Sequence, residues 1–313
     1  TLTADMRFIW FTLAIAFMLS LLLYRFVHRL TTNIKKLQSF ATKIDKNESI
    51  DKDNIPAFPN DELGEIAKKI TNLYIQLKQT EDQQRLLKRQ LTENATHELK
   101  TPIATIQGFI ETILADPGME DSVRTQLLQR CFRQSQRLTS ILNDMSTLHR
   151  LDDAPDTYQF DLIDISSLVK QVINETEQAL EEHEMHINNL LPQRFILTGN
   201  FSLFYSIFRN LTDNAISYAG NGTTITFTAK HESPYWHFYV TDNGVGIPIE
   251  HQARIFDRFY RIDKGRSRKS GGTGLGLAIV KNAVIAHGGN IEVYTPKEGG
   301  TCFHFTVRDN INT

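Results

Sequence analysis

Residues 94–102 read Asn94-Ala-Thr-His97-Glu98-Leu-Lys100-Thr101-Pro102, and the region around this stretch decides the fold of the chain. At about 100° per residue in an α-helix, the neighbouring apolar side chains fall within roughly 80° of one another. They are Ala95, Leu99, Ile103, Ile106, Ile110 and Ile113. His97 lies on the side opposite this stripe. The sequence therefore predicts an amphipathic helix on which His97 faces solvent rather than a core.

The polar residues next to His97 suggest chemistry for this exposed imidazole. Thr101 lies one helical turn further on and shares its face, while Glu98 is its neighbour in the chain. A free imidazole is mostly neutral at pH 7 and keeps a lone pair on one ring nitrogen. A nearby carboxylate can accept or orient the proton on the other nitrogen, so His97 and Glu98 form a candidate nucleophile and base. Pro102 lacks an N–H group, and we expect the helix to kink just past the histidine.

The surrounding sequence predicts a helical hairpin over residues 81–150. The first helix is expected to end at Ala115, Asp116-Pro117-Gly118 forms the turn, and the second helix runs from about Ser122 to Arg150. The inner face of the second helix comprises Leu128, Cys131, Ser135, Leu138, Leu142 and Met145. Two such hairpins would pair as a four-helix bundle, so we expect a homodimer.

One uncharged segment stands near the beginning of the chain. Phe8–Tyr24 holds 17 residues without a charge, between Arg7 and Arg25. As a helix it would be roughly 26 Å long, close to the thickness of a bilayer core. We expect a membrane-spanning helix, with a signal-peptide core or a buried helix as the alternatives. The basic residues that follow it predict that the C-terminal part is cytoplasmic: Arg25, Arg29, Lys35 and Lys36.

Two short apolar stripes with helical spacing follow this segment. They comprise Leu30, Ile34, Leu37, Ala41 and Ile44, and then Leu63, Ile66, Ile70, Leu73 and Leu77. The polar stretch 49–60 (SIDKDNIPAFPN) separates them, and Asp61-Glu62-Leu63-Gly64 opens the second helix with acidic residues at its N-terminus. Neither stripe can bury itself alone, which favours a small parallel coiled-coil bundle between chains. A plain coiled-coil linker is the alternative.

The sequence from Tyr158 onward predicts an α+β sandwich of about 150 residues. Expected strands are 224–228, 236–240, 290–294 and 302–306, interleaved with helices 166–183, 202–219 and 275–287.

Composition excludes several classes of protein. The 313 residues include 34 Lys and Arg against 36 Asp and Glu, for a formal net charge of -2. A nucleic-acid binder needs a clustered positive surplus, so we expect no nucleic-acid partner. The two cysteines, Cys131 and Cys302, are too few and too far apart for a disulfide framework or a cysteine-based metal site.

Three groups of residues in the α+β region predict a nucleotide site. Asn210, Asn214 and Ser217 share one helical face. Asp242-Asn-Gly244-Val-Gly246 follows a predicted strand. The segment 271–276 (GGTGLG) opens a helix, where backbone N–H groups can meet phosphates. It does not fit the dinucleotide-binding pattern, because Leu277 takes the third glycine's place and no strand precedes it.

Together these groups resemble, in content and order, the sensor histidine kinases of two-component systems. The resemblance covers essentially residues 25–309. It is carried by His97-Glu98-x-x-Thr101-Pro102, Asn210…Asn214-Ala, Asp242-x-Gly-x-Gly246, Phe256…Phe259-Tyr-Arg261, Gly272-Thr-Gly-Leu-Gly276 and Gly299-Gly-Thr301. It implies a multi-domain chain whose α+β part is a Bergerat ATP-binding sandwich.

The resemblance also implies roles for individual residues. His97 would be the phosphoacceptor, Glu98 its general base, and Thr101 would hold a water for dephosphorylation of a partner regulator. Asn214 would ligate a Mg²⁺ ion that bridges the ATP phosphates, with Asn210 supporting that geometry.

The adenine end and the mobile ATP lid complete the implied site. Asp242 would accept a hydrogen bond from the adenine amino group, with Gly244 and Gly246 allowing the ring to approach. Arg261 would touch the γ-phosphate. The remaining implied nucleotide-binding residues are Tyr218, Gly272, Thr273, Gly274, Leu275 and Gly276. The chain departs from the family pattern at Ser217, where many relatives carry a lysine.

The implied domains are a transmembrane helix (1–24) that ends a sensor region, a HAMP signal-relay parallel coiled coil (25–80), a dimerisation and histidine phosphotransfer hairpin (81–152), and the catalytic ATP-binding domain (153–313). Implied cofactors are ATP and Mg²⁺. Implied partners are the receiver domain of a response regulator, a second copy of the chain and the membrane. The expected location is the bacterial plasma (inner) membrane, with the kinase domains in the cytoplasm.

Two other functions stay open at this stage. An ATP hydrolase of the same nucleotide fold would carry a water-activating glutamate where Asn210 stands. A non-catalytic membrane signalling scaffold would be expected to lack one of the site residues, and none of those named is missing.

Overall fold

The computed structural model describes residues 2–45, 62–153, 158–262 and 272–309. The chain divides into two compact units, Thr1–Gln90 and Leu91–Thr313. In chain order the elements are α1 (Leu2–Asp45), α2 (Glu62–Ala115), α3 (Asp121–Asp153), β1 (Asp161–Asp164), α4 (Ile165–Glu182), β2 (His186–Asn189), β3 (Ile196–Gly199), α5 (Phe201–Tyr218), β4 (Thr224–Glu232), β5 (Tyr235–Asp242), α6 (Ile249–Gln252), α7 (Gly276–Ala286), β6 (Ile291–Tyr294) and β7 (Thr301–Arg308).

The first unit contains a helix that is long and apolar enough to cross a membrane. Its stretch Ile9–Lys36 has a mean hydropathy of 1.9 and none of its apolar window is buried. Six residues of the predicted coiled-coil stripes are also exposed in the single chain: Leu30, Ile34, Ile66, Ile70, Leu73 and Leu77. The polar stretch 49–60 and Asp61 lie outside the described residues.

The predicted helical hairpin is confirmed in the second unit. α2 ends at Ala115 as expected, and α3 begins at Asp121, one residue before the predicted start. The Asp116 carboxylate accepts a hydrogen bond from the Gly118 N–H (3.1 Å), which fixes the turn. On the apolar stripe Ala95 is buried, whereas Ile103 and Ile110 are more than 40% exposed. α2 is one continuous helix through Pro102.

A five-stranded sheet with the order β2-β4-β5-β7-β6 forms the frame of the α/β part. β2 and β4 are parallel and the remaining pairs are antiparallel. α4, α5 and α7 contribute to the core of this part, where fully buried phenylalanines meet: Phe204, Phe208, Phe227, Phe238 and Phe305. The α+β sandwich expected from the sequence is confirmed, and its four predicted strands are present with longer or slightly shifted ends.

Three short strands were not predicted. β1 and β3 form a separate antiparallel pair, and β2 adds an edge to the main sheet. Each has four residues, too few for a period-two pattern to stand out. They position the helices that follow. The Asp164 carboxylate caps α4 by accepting from the Ser166 and Ser167 N–H groups, and Asn200 caps α5 in the same way through Leu203.

Candidate active site

The exposed position predicted for His97 is confirmed. Its side chain is exposed on α2, where it borders a shallow depression together with Lys100, Thr101, Ala104 and Thr105. The Thr101 hydroxyl donates a hydrogen bond to the His97 carbonyl (3.2 Å). The imidazole is therefore open to an incoming group, with the Thr101 side chain one turn away on the same side.

The Glu98 carboxylate is directed toward two arginines. Its Oε2 accepts a hydrogen bond from Arg137 on α3 (3.0 Å) and lies 3.9 Å from Nη1 of Arg261 in the α/β part. The side chain of Glu98 is 26% exposed, that of Arg137 12% and that of Arg261 8%. Among the described residues no hydrogen bond joins Glu98 to His97. The pairing of Glu98 with His97 that the sequence suggested is thus absent from this arrangement, because Arg137 and Arg261 offer the carboxylate stronger partners.

Arg137 was missed by the sequence reasoning. It lies 39 positions after Glu98 on the other helix of the hairpin. The only available signal was a basic residue one position before the inner-face residue Leu138.

The two asparagines of α5 are half-buried on one face of that helix. The Asn210 side-chain NH₂ donates to the Ser206 carbonyl (2.8 Å). Its amide oxygen then points at the start of α7, where a Cβ added at Gly276 would lie only 2.4 Å away. A side chain at position 276 would therefore displace the Asn210 amide from this position. An amide oxygen is a kind of ligand that Mg²⁺ accepts, so the asparagine pair fits a metal–phosphate group.

Asp242 is buried at the end of β5. Its Oδ1 accepts hydrogen bonds from the N–H groups of Gly244 (2.9 Å) and Thr301 (3.2 Å). Gly244 passes so close to the end of α5 that a Cβ there would lie 2.3 Å from the Ala219 carbonyl oxygen. The backbone thus holds the Asp242 carboxylate in one orientation. A buried, oriented acceptor of this kind fits an amino group such as that of adenine.

Arg261, Gly272 and Tyr218 come together. The Arg261 guanidinium donates to the Gly272 carbonyl. A Cβ at Gly272 would lie 3.2 Å from the Tyr218 hydroxyl and 3.4 Å from the Arg261 guanidinium, so the segment packs tightly here. The nearby Gly274 carbonyl accepts from the Phe259 N–H (2.8 Å). The predicted γ-phosphate contact, Arg261, is thereby the residue that connects this cluster to Glu98.

Thr273 and Leu275 are turned toward α3. The Thr273 hydroxyl donates to the Asp144 carboxylate (2.8 Å), and Leu275 is fully buried against Leu148 and its neighbours. Burial raises the pKa of Asp144, and the bond from Thr273 partly counteracts this. This contact was not predicted, because Thr273 and Asp144 are 129 positions apart in the chain. Residues 263–271, which precede this segment, lie outside the described residues.

An exposed histidine on a helical hairpin lies in one compact unit with a sandwich that carries the asparagine pair, the buried aspartate and the glycine-rich segment. This combination defines the class of histidine kinases. Residues 87–154 match the family described as the His Kinase A (phospho-acceptor) domain. Residues 199–311 match the family described as histidine kinase-, DNA gyrase B- and HSP90-like ATPase. Carrying both domains in this order, the chain belongs to the sensor histidine kinase family. The predicted HAMP module (25–80) lies outside both matched ranges.

Curated relatives agree with this assignment. The sensor-like histidine kinase SenX3 of Mycolicibacterium smegmatis is 33% identical over 220 residues, which are 70% of this chain and 57% of that protein. The sensor histidine kinase WalK of Bacillus subtilis is 32% identical over 228 residues, 72% of this chain and 37% of that protein. The chain thus spans little more than half the length of SenX3 and less than half the length of WalK.

Solved structures share the fold. The Acinetobacter baumannii histidine kinase AdeS aligns with a TM-score of 0.57 at 24% identity, covering 68% of this chain and 98% of that one. The histidine kinase ThkA, in complex with the response regulator protein TrrA, aligns with a TM-score of 0.58 at 18% identity, covering 76% of this chain and 67% of that one.

Proposed function

We propose that this protein transfers the γ-phosphoryl group of ATP to His97 and then passes it to an aspartate of a response regulator. The observation that carries the proposal is the position of His97, an exposed nucleophile in the same compact unit as the predicted nucleotide-binding residues. Arg261 links the two, because it belongs to the cluster around Gly272 and also approaches Glu98, the neighbour of His97. Phosphoryl transfer depends chiefly on positioning and charge neutralisation, which these groups can supply.

On the nucleotide side, Asp242 would bind the adenine amino group, and Asn214 with Asn210 would hold Mg²⁺ against the phosphates. Mg²⁺ supplies charge neutralisation between the phosphate oxygens. Arg261, Gly272 and the N-terminal N–H groups of α7 would face the terminal phosphates. Tyr218, Gly244, Gly246 and Gly274 would shape the walls of the same cleft.

On the acceptor side, the His97 imidazole would attack with its free nitrogen while Glu98 takes the proton from the other. Glu98 must leave Arg137 and Arg261 to reach the imidazole, so transfer requires a rearrangement of this ion-pair group. We further propose that Thr101 orients a water for dephosphorylation of the regulator, since its hydroxyl lies one turn from His97 on the exposed side.

The receiver domain of a response regulator is the proposed partner. ThkA, which shares the fold, forms such a complex with TrrA. The exposed stripe residues Ile103 and Ile110 support pairing with a second copy, since a second hairpin would cover them. The proposed domain limits are 1–24, 25–80, 81–152 and 153–313. The exposed stripes on α1 and α2 support a HAMP module.

The apolar stretch Ile9–Lys36 supports a location in the bacterial plasma (inner) membrane, with the kinase domains in the cytoplasm. Incubation of the purified chain with γ-labelled ATP and Mg²⁺ separates the possible activities. A histidine kinase gives acid-labile label on the protein, an ATP hydrolase gives free phosphate, and a scaffold gives neither.

A further inference from the structure

A row of polar side chains crosses one face of the five-stranded sheet, separate from the groups assigned to nucleotide. His304 on β7 is the register partner of Glu292 on β6 and of Tyr239 on β5. His237 lies two residues before Tyr239, on the same face of β5, whereas the buried Phe238 between them faces the core. The backbone ladder of the sheet therefore fixes the positions of the two histidines relative to each other.

The two imidazoles of this row face each other edge to edge. Nδ1 of His237 lies 2.9 Å from Nε2 of His304, and their ring planes differ by 13°. The second nitrogen of His304, Nδ1, lies 2.8 Å from Oε1 of Glu292. The second nitrogen of His237, Nε2, lies 4.0 Å from Oε2 of Glu232. The Tyr239 ring stacks on His304, with centroids 4.6 Å apart. Each imidazole thus has a carboxylate near its outer nitrogen, and the two inner nitrogens meet.

This order of groups is typical of histidines that bind a transition metal. Such a histidine presents one ring nitrogen to the ion, and its other nitrogen is held by a carboxylate, a carbonyl or a water. The bond from His304 to Glu292 matches this arrangement. Imidazole suits copper, zinc and nickel ions, and Cu²⁺ has the highest affinity in the general order of divalent metals. The pair therefore offers two nitrogen ligands, one of them already oriented from behind.

The distance between the inner nitrogens fits neighbouring positions on a tetragonal ion. Two ligands at right angles, each about 2.0 Å from the metal, are about 2.8 Å apart, close to the 2.9 Å between His237 and His304. The rings must tilt to point both lone pairs at one ion, but the nitrogens need not separate. Within the described ranges no group of three or more His, Cys, Asp or Glu side chains is arranged to hold a metal. The pair would therefore supply two ligands, and water would complete the shell.

The local charge favours a cation at this place. Glu232 and Glu292 bring two negative charges, and Lys230, which pairs with the Oε1 of Glu232, brings one positive charge. The side chains of His237 and His304 are 21% and 17% exposed. The two rings are thus mostly covered but still open to solvent, and the carboxylates leave a net negative charge beside them.

We propose that His237 and His304 form a binding site for a divalent transition-metal ion, with Cu²⁺ the best fit, and that Glu292 orients His304 in it. The inference does not rest on the proposed kinase function, because none of these residues belongs to the nucleotide or acceptor groups. A ligating nitrogen must present a lone pair, so both inner nitrogens must be free of protons. The neutral His237 would then carry its single ring proton on Nε2, on the side of Glu232.

The first test is a titration of the full chain, in detergent micelles, with Cu²⁺. Calorimetry gives the Kd, and electron paramagnetic resonance at one equivalent should show two nitrogen ligands. His237→Gln and His304→Gln should each remove one nitrogen and raise the Kd at least about tenfold, since loss of a ligand costs no less than loss of its outer partner. His186→Gln is the control, because this histidine is exposed on β2, at the edge of the same sheet. An unchanged Kd in either variant of the pair overturns the proposal, as does a chain that does not bind Cu²⁺.

The second test concerns the positioning role of Glu292. Glu292→Gln keeps the length of the side chain but removes the carboxylate beside His304. The Kd for Cu²⁺ should rise about tenfold while the resonance spectrum keeps two nitrogens. Glu298→Gln is the control, because this acid is exposed beyond the end of β6. Equal Kd values for the two variants would contradict the role of Glu292.

The third test needs no substitution and therefore holds even if a histidine variant fails to fold. Diethylpyrocarbonate modifies imidazole nitrogens that carry a free lone pair, and peptide mass spectrometry reads the modified positions. One equivalent of Cu²⁺ should slow the modification of His237 several-fold and leave that of His186 unchanged. Equal rates at His237 with and without Cu²⁺ overturn the proposal and leave the two histidines as a hydrogen-bonded pair that stabilises the sheet.

Discussion

The carboxylate of Glu98, the residue that follows the exposed His97 on α2, lies 3.0 Å from the guanidinium of Arg137 on α3. This ion pair joins the two helices of the hairpin next to His97, the proposed phosphoacceptor. It also keeps the predicted base away from the imidazole it would serve. Stability and reactivity of this site therefore depend on the same two side chains.

Replacing Arg137 should destabilise the hairpin. Arg137→Met removes a charge-assisted hydrogen bond from a mostly buried carboxylate, which typically costs about 1–3 kcal/mol. We expect a fall of several degrees in the melting temperature of the full chain. Arg133→Met, at an exposed position of the same helix, is the control and should have little effect. Equal melting temperatures for the two variants would mean that the ion pair adds nothing.

Thr101→Ala should separate two activities. The hydroxyl makes only an exposed bond to the His97 carbonyl, so its loss should leave α2 intact and autophosphorylation largely unchanged. Dephosphorylation of the regulator should fall at least tenfold. Thr105→Ala is a matched control, because Thr105 makes the same bond one turn later. Loss of both activities to the same degree would indicate a packing role for Thr101.

Ser217→Lys should strengthen ATP binding. Ser217 is exposed at the end of α5, on the face of Asn210 and Asn214. A charged donor there contributes about 1 kcal/mol more than a neutral hydroxyl, or about fivefold in Kd. Isothermal titration should show that the gain shrinks as salt rises and is smaller for ADP. An unchanged Kd would mean that other cations already meet the phosphates.

Acidification should destabilise the sandwich through His287. Burial lowers the pKa of this histidine from its ordinary 6.5. Nε2 accepts from the Asn200 N–H (3.1 Å) while Nδ1 faces the Ala283 carbonyl (2.7 Å), so the ring is held neutral. The unfolded chain takes up a proton below about pH 6.5 and the folded chain does not, so stability is lost as pH falls through that value.

The expected slope for this one proton is at most about 1.4 kcal/mol per pH unit. Denaturant unfolding at several pH values between 7.5 and 5.5 measures it, and His287→Gln is the comparison. The variant should be less stable, and its free energy of unfolding should change less with pH. The same slope in both proteins would assign the pH dependence to other groups.

The helices around His97 and the four main strands could be predicted from the sequence, because apolar periodicity and turn residues act within a few positions. The same periodicity predicted that His97 is exposed. The contacts of Arg137 with Glu98 and of Thr273 with Asp144 could not be predicted, because they depend on how separate elements pack. For the same reason the sequence could not show that Glu98 turns away from His97, since its strongest partners come from α3 and from the segment around Arg261.

The role of His97 as phosphoacceptor is tested by the chemistry of the label that it carries. After incubation of the chain with γ-labelled ATP and Mg²⁺, we predict a phosphoramidate that is lost in acid and stable in base. The label should be absent in His97→Ala and remain in His149→Ala, another exposed histidine, on α3. A base-labile label, or a label that persists in His97→Ala, would contradict the assignment of His97 as the phosphoacceptor.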